Sequence, residues 1–205
     1  MNSKVNGLIG IGAIVLSTFT IIMMAALRTD GYNHFNKAVS ELGSLDAPNK
    51  WLFNILGFII PGILIATYSF KLLKDFLRFP IKSYPFYFLF VSGLFLSLAG
   101  IFPADLENRK SMTTTIHTIG AQGGGIFWLL CALTLWWQLK KNKLWKSTAI
   151  ISFTIPFIMI LAMSFVSENT PGLSQRIVFI AMYLYIFILA VKQMLVANIT
   201  SQKNI

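Results

Sequence analysis

The sequence predicts an all-α membrane protein, a six-transmembrane-helix bundle with both termini in the cytoplasm. Three observations predict it. Of 205 residues, 56% are hydrophobic and 12% charged, with a mean hydropathy of +0.70. Soluble domains run about 45–50% apolar and about 25% charged, so this chain has too little polar surface to cover a soluble globule. Six apolar segments follow one another, at 8–27, 51–72, 84–102, 116–137, 148–166 and 177–196. Each is close to the ~20 residues a helix needs to cross ~30 Å of hydrocarbon. The N-terminus, the second and fourth connections and the tail hold eleven Lys and Arg, against six in the other connections. Positive-inside reasoning puts the richer side in the cytoplasm.

The first segment follows a single basic residue, Lys4. Its apolar run exceeds the 7–15 residues of a signal-peptide core and no A-x-A site follows, so it reads as a retained helix. The first connection, Arg28–Lys50, is 23 residues long. Within it Phe35, Val39 and Leu42 fall at i, i+4, i+7, the spacing of a short interfacial amphipathic helix. That helix would end at Gly43 in a left-handed cap. Asp46-Ala47-Pro48 reads as N-cap and early proline of the second span. Pro61-Gly62 is expected to kink that span, and Pro156 the fifth. In the fifth connection Pro171-Gly172 reads as a turn, with Ser174 capping the last helix.

The net charge of +10 would suggest nucleic acid in a soluble chain. Here it is largely an orientation signal facing anionic lipid heads, so the expected partners are membrane lipids and a lipid-like or amphiphilic substrate, with no nucleic acid. The aromatic belt agrees, with Trp136, Trp137, Trp145 and Tyr84 near the inner interface and Trp51 near the outer. The single cysteine, Cys131, excludes disulfide chemistry within one chain and Cys-rich metal sites. No phosphate-binding loop, dinucleotide fingerprint, HExxH or EF-hand occurs. The identity of any cofactor, and whether a metal is bound, is left open by the sequence.

Chemistry gathers in the outer connections. Asp30, Glu41, Asp46, Asp105, Glu107 and Glu168 all lie there, as do both histidines, His34 and His117; only Asp75 lies inside. His117 opens the fourth span, and an ionisable group in a span is a candidate site residue whose partner should be named. Asp105, held at the membrane edge after Phe102-Pro103-Ala104, is that expected partner. From His117, Gly120, Ala121 and Gly124 form one small-residue face. That face reads either as close helix packing or as a cleft beneath the imidazole, with Gln122 at the neighbouring angle. Arg176 can clamp a carboxylate or phosphate through its guanidinium, or pair internally with Glu168 or Glu41. Glu41 reads as a solvated charge, an acid or a metal ligand. Gln175 and Glu168 in the fifth connection, and Asn54 one turn into the second span, complete the candidate binding set.

Several of these residues carry a resemblance. Ser40-Glu41-Leu42-Gly43, Pro48 with Phe53-Asn54, Phe102-Pro103-Ala104-Asp105, His117 and Gly172-Leu173-Ser174-Gln175-Arg176 occur in the order found in the bacterial and archaeal domain-of-unknown-function 998 family, which the chain resembles over nearly its whole length. The resemblance implies a six-helix integral membrane fold and no particular chemistry. Alkaline-ceramidase-like hydrolases offer a weaker analogy, since Ser40, Asp105 and His117 are present. Two histidines in all cannot supply their three-histidine zinc site.

Three functions fit these residues. One is an outer-facing lipid or lipid-linked hydrolase or transferase, with His117 as general base, Asp105 orienting it, Ser40 or water as nucleophile and Glu41 as acid. Another is a non-catalytic amphiphile binder or transporter, marked by an apolar cavity with a polar mouth and no aligned acid–base pair. The last is a structural or accessory membrane subunit whose outer polar groups satisfy one another.

Overall fold

A computed structural model describes residues 3–76, 81–143, 145–167 and 169–202. Glu168, and the basic residues Arg78 and Lys203, lie outside the described residues. Six helices are long and apolar enough to cross a membrane, at Lys4–Ala26, Lys50–Lys74, Tyr84–Ile101, Met112–Leu139, Lys146–Met163 and Pro171–Leu195. No strand occurs among the described residues. The helical elements are α1 (Ser3–Ala26), a 3-10 helix (Val39–Gly43), α2 (Lys50–Phe53), a π-helical turn (Asn54–Ile59), α3 (Ile60–Phe76), α4 (Tyr84–Ile101), α5 (Met112–Leu139), α6 (Lys146–Met163) and α7 (Pro171–Gln202). α2, the π turn and α3 run on as one span.

The spans form a ring in chain order. α1 packs on α3, α3 on α4, α4 on α5, α5 on α6, α6 on α7, and α7 closes on α1. Tyr68, Trp128, Leu135 and Tyr185, all fully buried, fill its centre. The tightest seams rest on missing side chains. A Cβ on Gly93 would lie 2.5 Å from the Gly62 carbonyl and 2.7 Å from the Ala66 amide nitrogen. On Gly120 it would lie 2.6 Å from the Ala99 amide nitrogen. The packing reading of Gly120 therefore holds, and α5 lies backbone-to-backbone on α4.

Proline 61 acts differently from a simple kink. It has no N–H to give the Gly57 carbonyl four residues back, and its ring would crowd that oxygen. The chain widens instead, with Ile60 N–H donating to Ile55, and the orphaned Gly57 carbonyl accepts from Ser17 Oγ of α1 at 2.7 Å. Ser17 Oγ also meets Tyr183 Oη at 2.6 Å, which joins α7 to the same point.

Five local expectations are corrected. The amphipathic helix at 35–42 is only the five-residue 3-10 turn, with Val39 and Leu42 buried but Phe35 59% exposed. Gly43 does not adopt a left-handed cap. It is small because Asn54 and Phe53 press on it. Asp46 is exposed and does not cap the second span; Asn49, at φ 58°, precedes its first residue. Pro171 and Gly172 are the first residues of α7, not a turn before it, because proline at the first helical position is pre-set for the helix and loses no needed N–H. Ser174 lies within that helix, its hydroxyl donating to the Thr170 carbonyl at 3.2 Å.

Candidate functional site

The end of the bundle away from both termini, the distal end, is where the three outer connections meet. The Leu45 N–H donates to the Ala104 carbonyl at 2.9 Å and the Leu173 N–H to Phe35 at 3.0 Å, so the first connection is stitched to the third and the fifth. Gly172 is required at that seam, since a Cβ would come 2.6 Å from the His34 carbonyl and 2.8 Å from that of Phe35. Asn54 Nδ2 donates to the Gly43 carbonyl at 2.8 Å from a buried position. It thereby staples the 3-10 turn to the second span and lies off the cleft described below.

Charged groups at this end are mostly engaged locally. Glu41 Oε1 accepts the Ala38 N–H at 2.9 Å, and Oε2 pairs with Lys37 Nζ at 3.5 Å. The carboxylate thus bonds back to the backbone N–H that precedes the 3-10 turn, satisfying an otherwise orphaned helix donor, and Ala38 has no side-chain oxygen to return the bond. Arg28 grips Asp30 with two nitrogens, Nε at 2.9 Å and Nη2. That hydrogen bond holds the Asp30 carboxyl down to about 2, so the pair stays ionised throughout the physiological range. Arg176 forms no ion pair with Glu41. Its Nη1 donates to the carbonyls of His34 (2.7 Å), Gly172 (2.9 Å) and Lys37 (3.0 Å), and its Nη2 to Tyr32 Oη (2.8 Å). Tyr32 lies near both Arg28 and Arg176, with ring centroid distances of 5.6 and 5.8 Å. An aromatic residue between two arginine contacts was a signal that sequence reasoning passed over.

The expected Asp105–His117 pair does not form. Asp105 Oδ1 accepts the N–H groups of Glu107 (3.1 Å) and Asn108 (2.8 Å), a turn closed on its own loop. His117 Nδ1 instead faces the carbonyls of Ala99 (2.8 Å) and Phe102 (3.0 Å), at the C-terminal end of α4. Helix ends leave carbonyls without partners, and α5 lies close enough at Gly120 for its imidazole to reach them first. Carbonyl oxygens only accept, so in the neutral imidazole the proton sits on Nδ1 and Nε2 is left as an acceptor. Nε2 has no hydrogen-bond partner among the described residues.

His117 lines a narrow cleft of about 90 Å³ between α5 and α7. The walls are apolar, with Phe58, Ala121, Gly125 and Met182 among them, and its polar groups are Ser40, His117 and Gln175. α6 contributes no residue to it. That helix buries Thr148, Ala149, Ser152, Pro156 and Met159, whereas Ile160 and Leu161 near its distal end are exposed. Gln175 reads Ser40 twice, its Oε1 accepting the Ser40 N–H at 3.2 Å and its Nε2 reaching Ser40 Oγ at 3.4 Å. Phe58 comes from the π turn, which aims it between His117 and Phe179 at ring distances of 6.4 and 6.0 Å. Extra residues in a helical turn leave no sequence period to detect, so Phe58 could not be singled out.

The structure therefore brings Ser40, His117 and Gln175 to one cleft, and places Asp105, Glu41, Arg176 and Asn54 elsewhere. Gln122 is exposed and does not line the cleft. Among the described residues, no three His, Cys, Asp or Glu side chains come together as a metal-ligand set.

No curated protein and no solved structure matches the chain. The family described as "Protein of unknown function (DUF998)" matches residues 11–192, nearly the whole six-helix bundle. This six-span chain, with its α4–α5 seam and distal cleft, thus belongs to the domain-of-unknown-function 998 family.

Proposed function

We propose that the protein binds an uncharged, single-chain amphiphile drawn from the membrane, its tail in the α5–α7 cleft and its head at Ser40, Gln175 and His117. One observation carries this reading: an apolar cleft with a polar mouth and no charged group along its lining. Ligand sites of that kind bury apolar surface and fix orientation with a few polar groups. At about 90 Å³ the cleft is far below the ~300 Å³ where drug-sized pockets begin, which favours one slender chain. The mouth offers an acceptor, His117 Nε2, and the Ser40 hydroxyl as donor, a match for a hydroxyl or amide head. A hydrolytic reading uses the same Ser40 and His117. It is the less supported of the two, because Gln175 engages Ser40 and no carboxylate orients the imidazole.

A long-chain alcohol with a diazirine in its tail tests the proposal. Irradiation of the reconstituted protein should leave adducts on α5 and α7 around Gly125 and Met182, suppressed by excess monoacylglycerol. Gly125 lines the cleft, and a Cβ there meets no atom within 4 Å. Gly125→Leu should therefore fill the cleft without straining the protein, lowering adduct yield several-fold at an unchanged thermal midpoint. Adducts spread evenly over the lipid-facing helices, or undiminished in Gly125→Leu, would overturn the reading.

The same proposal takes the distal end as extracellular, following the excess of basic residues at the other end. Lys110 and Lys141 are both exposed, one in the third connection and one in the fourth. In intact cells a membrane-impermeant maleimide should label Lys110→Cys, whereas Lys141→Cys should react only after permeabilisation. Cys131 is fully buried and gives a silent background. Reversed labelling would place the cleft on the cytoplasmic face.

A further inference from the structure

A second groove, of about 180 Å³, runs on the other side of α7, between it and α1. Ile21 and Ile22 of α1 and Phe179 and Ile180 of α7 line it, and Arg176 and His34 also border it. We infer that this groove holds an acyl chain of an anionic phospholipid, whose phosphate rests on Arg176. It shares one wall residue, Phe179, with the α5–α7 cleft, and the inference does not depend on the ligand proposed there.

The argument starts from the unused half of the guanidinium. Arginine has five N–H donors in a rigid fork. In Arg176 the Nη1 nitrogen is committed to three backbone carbonyls and Nη2 to Tyr32 Oη. Nε–H and one Nη2–H therefore have no acceptor among the described residues. The fork is already immobilised from its other side, so its ordering cost is met before a ligand arrives.

Charge points the same way. The neighbouring carboxylates are taken, Asp30 by Arg28 and Glu41 by Lys37. Among the described residues no carboxylate lies within ion-pair distance of Arg176. A cation at the edge of the hydrocarbon without a counter-charge is costly. A phosphate both neutralises it and accepts two parallel N–H donors, the geometry for which arginine is suited. Arg176 lies in the second turn of α7, and Phe179, Ile180 and Tyr183 continue one and two turns deeper as an apolar wall. The vertical order of charge above hydrocarbon matches a phospholipid.

Native mass spectrometry of the detergent-solubilised protein, with phosphatidylglycerol or diacylglycerol of the same chains added, tests the inference. Phosphatidylglycerol should be retained as a single tight adduct and diacylglycerol should not. Arg176→Gln should weaken retention about tenfold, the loss expected for a charge-assisted hydrogen bond. Because Arg176 also holds the first connection in place, a second variant is needed. Ile180→Trp fills the groove from a residue 66% exposed and leaves the guanidinium contacts untouched. It should also lower phosphatidylglycerol retention about tenfold, while diazirine-alcohol labelling of the α5–α7 cleft stays at the wild-type level. Equal retention of the two lipids, or full retention by Ile180→Trp, would overturn the assignment whatever the cleft probe does.

Discussion

Gly93→Leu should lower the thermal unfolding midpoint of the detergent-solubilised protein by roughly 6–12 °C, or abolish folded yield. Its hypothetical Cβ meets the Gly62 carbonyl at 2.5 Å and the Ala66 amide nitrogen at 2.7 Å. Both atoms are backbone, so no rotamer change relieves the overlap, and α3 and α4 must separate. Overpacking of a fitted core costs about 1–3 kcal/mol and more where the backbone has to shift. For a chain of this size each kcal/mol moves the midpoint by about 2–4 °C. The seam also carries the Ser97 hydroxyl, which donates to the Ile59 carbonyl at 3.0 Å, and separation breaks that bond too. Gly12→Ala is the matched control. Nothing lies within 4 Å of its Cβ, so the change should be neutral or stabilise by up to ~1 kcal/mol through helix propensity. A midpoint for Gly93→Leu equal to that of Gly12→Ala would show that α3 and α4 do not meet as closely as described.

These two glycines look alike in the sequence, and that contrast explains what was legible. Six runs of about 20 apolar residues have few alternatives in lipid, because only a helix satisfies a single spanning backbone. The spans were therefore readable, and the order of short outer motifs led to the family. What a given small residue faces is decided by the neighbouring helix, and neither Gly93 nor Gly125 announces its partner. Gly120 and Gly125 stand five residues apart, yet one is pressed on α4 and the other opens on the cleft. Loop chemistry was hidden for a related reason. The back-bond from Glu41 reaches Ala38 and not a Ser or Thr that would open a capping box, so no motif marks it in the sequence. Glu41 therefore looked free when it was already engaged. For His117 a carboxylate partner was expected where two carbonyls from the end of α4 are nearer.

That double engagement makes His117 the position where stability and binding can be separated. His117→Ala leaves the Ala99 and Phe102 carbonyls without their donor in a buried setting, which should cost about 1–3 kcal/mol and also remove the acceptor at the cleft mouth. His117→Asn should divide the two effects. The asparagine Nδ2 stands close to where Nδ1 of the imidazole stood, so it can still donate to Ala99 and Phe102, but nothing replaces Nε2. The expected result is a thermal midpoint near that of the native protein together with alcohol-probe labelling reduced about tenfold, in line with the loss of one buried hydrogen bond. His117→Gln should do the reverse, extending an amide toward the mouth while abandoning the carbonyls, with a lowered midpoint and labelling largely kept. If Asn and Gln variants lose stability and labelling in parallel, the imidazole serves only to fasten α5 to α4, and the cleft mouth does not use it.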